Sequence, residues 1–214
     1  MPDDEKGRLS RLAARSMADA FDNPSPPAPD KWEGVPTVRD HWVNTVSGRK
    51  VSLVTPWEDQ IEIGDIATGL SNIGRYNGQT GNFYSVAEHC YWVSMLVPQT
   101  GVLPLYGLLH DAAEAYVGDM VTPLKAMLPE YRAIEDNLLD VIFSRYELDM
   151  PIPEEVHEVD RRILANEAEV LFKKNDEWVI PFEPFPQLKL ELLYPPRAAA
   201  WFLSRFDQLR RIGP

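Results

Sequence analysis

His110-Asp111-Ala112-Ala113-Glu114-Ala115-Tyr116-Val117-Gly118-Asp119 places three carboxylates and a histidine among alanines and apolar side chains. With the Leu- and Tyr-rich residues before it, the stretch predicts a helix over about 104–117, stopped by Gly118. On that helix Glu114 stands four residues after His110 and three after Asp111, which brings it near both on one face. Burying a carboxylate beside an imidazole is costly unless a cation or hydrogen bonds compensate. The stretch therefore reads as part of a metal site in a helical protein, not as a solvated face.

Helix signals continue on both sides. Ile61, Ile66, Leu70 and Ile73 form an apolar side that Gly74 ends. Ser85 with Glu88 three residues later is a capping-box signature, and Val86, Cys90, Val93 and Val97 follow at helical spacing. Two longer helices are expected at roughly 130–147 and 153–175, the second opened by Pro153. A terminal helix near 197–211 follows a proline- and aromatic-rich stretch, 178–196. Upstream, Val43, Val46, Val51, Leu53 and Val54 around Ser47-Gly48 predict a small β-hairpin within 41–55. Residues 6–21 suit a modest helix, and the prolines of 23–29 an extended linker, so 1–40 reads as an N-terminal arm. The expected organisation is that arm and one all-α domain over 41–214, with its core at 61–175.

Composition narrows the function classes. The 214 residues carry 21 basic and 33 acidic side chains, a net charge of −12, which disfavours a protein that coats nucleic acid. A small anion can still bind where an arginine or a metal reverses the field. The single cysteine, Cys90, excludes an internal disulfide framework and a multi-cysteine zinc site, and fits a reducing compartment such as the cytoplasm. No signal peptide is read at the start. The uncharged run from His89 to His110 is broken by Pro98-Gln99-Thr100-Gly101 and Pro104, so two short buried helices are expected there and no membrane span.

A divalent ion needs more ligands than His110 and Asp111. His89 is the natural third, from the helix that also carries Val86, Cys90 and Val93. Asp160 suits the fourth place, because it shares an apolar face with Val156, Ile163, Leu164 and Glu167; the alternative is a salt bridge to Arg161, Arg162 or another base. Other features take plainer readings. Cys90 is a core residue, His157 a surface one, and Gly74, Gly78 and Gly81 lack the spacing of a P-loop or dinucleotide fingerprint.

His89, His110-Asp111 and Asp160 have the order and rough spacing of the signature of HD-domain metal-dependent phosphohydrolases. The longer string from His110 through Gly118-Asp119-Met120-Val121-Thr122-Pro123-Leu124-Lys125 resembles HD-type 5′-deoxynucleotidases and phage-borne nucleotide phosphohydrolases more closely still. Arg75-Tyr76 and Tyr84-Ser85-Val86-Ala87-Glu88-His89 match the upstream half of that pattern, and the similarity covers about Ile61 to Phe172. Gln79 stands where many phage-type relatives carry a histidine.

The resemblance implies an all-α HD-domain bundle holding one divalent ion (Mn, Co, Fe, Ni, Mg or Zn) on His89, His110, Asp111 and Asp160. It also implies that Glu114 and Asp119 position water and handle protons, that Arg75 clamps phosphate, and that Tyr76 lies against sugar or base. Lys125 would be a second phosphate contact. The expected activity is cleavage of deoxynucleoside 5′-monophosphates to nucleoside and phosphate. Two alternatives stand beside it: a dNTP triphosphohydrolase releasing triphosphate, and a catalytically silent nucleotide-binding module. The appended arm and the aromatic-rich tail lead us to expect a homodimer.

Overall fold

The apolar spacing through Ile66, Leu70, Val86, Cys90 and Val93 becomes the middle of the main helical core, joined by Leu108, Leu109, Leu138, Ile142, Phe143, Ile163 and Phe202. Full burial of each large apolar side chain is worth about 1.5–3 kcal/mol. A computed structural model describes residues 41–173 and 180–212. The expected arm, with its helix over 6–21 and its proline linker, and the first residues of the 178–196 stretch lie outside them.

The chain begins with a hairpin of β1 (Trp42–Asn44) and β2 (Lys50–Ser52), antiparallel with Val43 opposite Val51. Helices follow as α1 (Ile63–Asn72), α2 (Val86–Leu96), α3 (Leu103–Leu109), α4 (Glu114–Val117), α5 (Thr122–Lys125), α6 (Pro129–Arg145), α7 (Glu154–Leu171) and α8 (Pro195–Ile212). The fold is all-α with one small hairpin, as expected. Among the described residues, no helix is long and apolar enough to cross a membrane.

α8 packs along α1 and α2, α3 lies on α2, and α1 meets α4. Two glycines set the closest approaches. A Cβ on Gly69 would come within 2.9 Å of Ala115, and one on Gly107 within 3.0 Å of the Ser94 backbone. The hairpin is tied down by buried Asp65, which accepts from the Ser47 backbone N–H at 2.9 Å and from its hydroxyl at 2.6 Å.

Two expectations need correction. The helix read over 104–117 is broken: α3 stops at Leu109 and α4 starts at Glu114. Between them the amides of Ala112 and Glu114 reach back only three residues, to Leu109 and Asp111. Tighter winding of this kind turns successive side chains further than an α-helix does, so His110, Asp111 and Glu114 do not lie on one α-helical face. The capping box at α2 is also half built. Ser85 Oγ accepts from the Glu88 amide, but the Glu88 carboxylate accepts from the amides of Glu191, Leu192 and Leu193 at 2.8, 3.0 and 2.7 Å. Three charge-assisted bonds to a distant segment outcompete one local bond, and they fasten the approach to α8 onto α2.

Candidate metal centre

α2, the α3–α4 turn and α7 bring four side chains to one point. His89 Nε2 lies 3.3 Å from His110 Nε2 and 3.0 Å from Asp160 Oδ1. Asp111 Oδ2 lies 3.3 Å from His110 Nε2 and 3.7 Å from His89 Nε2, and Asp160 Oδ1 is 3.8 Å from His110 Nε2. His89, His110 and Asp111 offer atoms that all lie within 4.8 Å of one another, and the fourth predicted ligand, Asp160, reaches the two histidines. Asp160 does not take the alternative of an arginine pair: Arg161 bonds Glu154, and Arg162 bonds the carbonyls of Glu183 and Pro184.

The other ring nitrogens settle what the cluster offers. His110 Nδ1 faces the Gly107 carbonyl at 2.9 Å, which can only accept, so this nitrogen carries the proton. His89 Nδ1 donates to Glu167 Oε1 at 2.7 Å. Burial works against a charge on Glu167, yet the adjacent Arg75 and His89 draw its pKa down to about 2, so it accepts as a carboxylate. With both Nδ1 protons committed, Nε2 is the atom each ring turns to the cluster, where it can hold a proton against the aspartates or, in a neutral ring, offer a lone pair to a cation. Two imidazole nitrogens and two aspartates thus meet where a cation could take the place of the histidine protons. Ligands about 2.1 Å from a common ion sit roughly 3.0–3.4 Å apart at neighbouring octahedral or tetrahedral positions. The separations seen here start in that range.

Electrostatics agree. Burial opposes charge on His110, but Asp111 and hydrogen bonds to Asp111 and Asp160 outweigh it and raise its pKa well above the usual value. For Asp160, burial is overcome by the hydrogen bonds from His110 and His89, and its pKa falls well below the carboxylate range. The cluster draws positive charge into a buried place.

Glu167 is a functional residue that sequence reasoning missed. It is fully buried and holds three groups at once: His89, the Arg75 guanidinium at 3.3 Å, and the Tyr76 hydroxyl. A carboxylate behind a ligating histidine fixes its tautomer and orientation. The signal existed, since Glu167 is as out of place on the apolar face of α7 as Asp160.

Arg75 spans the site, 3.6 Å from Asp111 Oδ2 and bonded to Glu167, while its buried Nε lacks a partner. Tyr76 and Asn77 follow in left-handed conformation, with φ of 58° and 52°. Such backbone is uncommon outside glycine. Tyr76 stacks edge-on against Phe172, with ring centroids 5.0 Å apart.

Glu114 is buried and turns toward Lys125, 3.6 Å away, leaving Oε2 without a hydrogen-bond partner. Burial, helped by the charges of Asp111 and Asp119, pushes its pKa well up. Asp119 is also raised, first by burial, and lies within the field of Arg75, Asp111 and Lys125. Lys125 is held more closely by Glu135, at 2.8 Å, a residue the sequence did not single out. Cys90 is buried, its thiol pushed up to about 11 by desolvation, and stays in the core as read.

No family model matches the chain. It is 34% identical over 174 residues to "Uncharacterized protein YfdR" of Escherichia coli (strain K12), an alignment covering 80% of this chain and 97% of that protein. It is also 34% identical over 193 residues to "Uncharacterized protein RCAP_rcc00048" of Rhodobacter capsulatus, covering 79% of this chain and 96% of that one.

Proposed function

We propose that this chain, which belongs to the family of the E. coli protein YfdR, is a metal-dependent phosphohydrolase that cleaves deoxynucleoside 5′-monophosphates in the cytoplasm. The observation that carries the reading is the convergence of His89 Nε2, His110 Nε2, Asp111 and Asp160 with both Nδ1 protons committed elsewhere. A divalent ion on these residues would neutralise phosphate charge and acidify water. His110 is oriented for that role by Gly107, and His89 by Glu167.

The surrounding side chains suit a phosphate ester. Arg75 offers a planar fork beside the cluster, held in place by Glu167. Glu114, whose pKa is raised first by burial, retains a proton further toward neutral pH than an exposed carboxyl does, so it can donate to a leaving alkoxide. Asp119 can take a proton from water. A module that only bound an anionic nucleotide would gain nothing from two further carboxylates.

The test is incubation with Mn²⁺, Co²⁺ or Mg²⁺ and a panel of nucleoside mono- and triphosphates, with products separated by chromatography. Free phosphate from deoxynucleoside monophosphates is the expected result. Intact triphosphate from dNTPs would reassign the substrate, and no turnover with any metal would reduce the protein to a binding module.

A further inference from the structure

Lys125 stands between two carboxylates and bonds only one of them. Its ammonium donates to Glu135 Oε1 at 2.8 Å, whereas Glu114 Oε1 is 3.6 Å away, beyond the usual N–H···O length of up to about 3.2 Å. The remaining Glu114 oxygen is buried without a partner. Glu135 lies on α6 one turn after Tyr131, whose hydroxyl donates to the Gly118 carbonyl at 2.6 Å. α6 thus grips the segment carrying Glu114 and Asp119 at two places, one just before Asp119 and one after it.

We infer that Glu135 is a positioning residue that holds Lys125 off Glu114 and so keeps the Glu114 carboxyl free of a charge-assisted partner, available to exchange a proton. Only its effect on rate rests on the phosphohydrolase reading. Lysine is a flexible point charge on a four-carbon stem. Deprived of Glu135, Lys125 closes on Glu114, and the charge-assisted pair fixes that carboxyl as an ionised partner of the amine. Both carboxylates within 4 Å of Lys125 belong to its own chain, so its charge acts on Glu114 whatever else it meets.

Glu135→Ala, Glu135→Gln and the double variant Glu135→Ala/Lys125→Met test this. In a crystal structure of Glu135→Ala, Lys125 Nζ should move to hydrogen-bond distance from Glu114. The same variant should lose about tenfold or more in kcat while KM stays within about twofold. Removing the lysine as well should restore part of that loss, a coupling that a merely structural role would not produce. Glu135→Gln should fall between wild type and Glu135→Ala. The inference is overturned if Lys125 does not approach Glu114, if KM rises while kcat holds, or if the double variant is no faster than Glu135→Ala. Should Glu135→Ala fail to fold, Glu135→Gln with and without Lys125→Met carries the same comparison. A wild type that cleaves no phosphate ester would end the phosphohydrolase reading, and the Lys125–Glu114 separation in the variant would still decide whether Glu135 does the holding.

Discussion

The two sides of the site are built on opposite terms. On the ligand side, His110 Nδ1 is fixed by Gly107, His89 Nδ1 by Glu167, and Glu167 itself by Arg75 and Tyr76. Its carboxylates are held low: Asp111 against burial by His110, and Asp160 against burial by both histidines. On the other side, Glu114 leaves one oxygen unpaired, and burial pushes both Glu114 and Asp119 up. On the proposed reading, the first region would hold a cation still, and the second would keep groups whose proton can leave or arrive during a reaction.

The largest effect should come from breaking the ligand side. Asp111→Ala should abolish metal binding and turnover together, and remove the rise in melting temperature that added metal gives the wild type by mass action. Calorimetry with and without Mn²⁺ reads both.

Breaking the other side should separate the two properties. Glu114→Gln should keep its metal and its fold while turnover falls by about 10²–10⁴. Were Glu114 only an ion-pair partner of Lys125, the same change would lower stability and spare the rate. Steady-state rates and metal content on one preparation distinguish the cases.

Glu167→Gln sharpens the comparison by loosening the brace without touching a ligand. Metal affinity should drop by about 10–100-fold, as is usual when the partner behind a ligating histidine is lost. A smaller effect concerns acid. Glu167 has its pKa lowered from 4.5 to about 2 in the folded chain, so its contribution to stability is complete above 4.5 and lost as pH falls toward 2. The metal-free Glu167→Gln variant should therefore show a shallower loss of stability across that window than the wild type, measured by denaturant titration.

Much of this was legible in the residues, and unevenly so. Helical spacing marked the core of α1, α2 and α7, because a buried stripe must repeat every three or four residues whatever packs against it. The hairpin was legible from Ser47-Gly48, where Gly48 takes φ 84°. Asp160 could be found because a lone acid on an apolar face demands a reason, and the same reasoning would have reached Glu167. The break at His110–Ala113 was hidden, since alanine and aspartate sit in tight and regular helical turns alike. Glu88 looked like a local cap because its true partners, the amides of 191–193, lie a hundred residues on and carry no side-chain signal. Glu135 lies on a helix whose polar and apolar residues give no clear face, so only the fold reveals that it meets Lys125.

The central claim is that His89, His110, Asp111 and Asp160 form one cation site. Elemental analysis after dialysis against Mn²⁺ tests it directly, on the wild type and on His89→Ala. The account predicts close to one ion per chain in the wild type and none in the variant. A wild type that returns without metal, or a variant that retains as much, would contradict it.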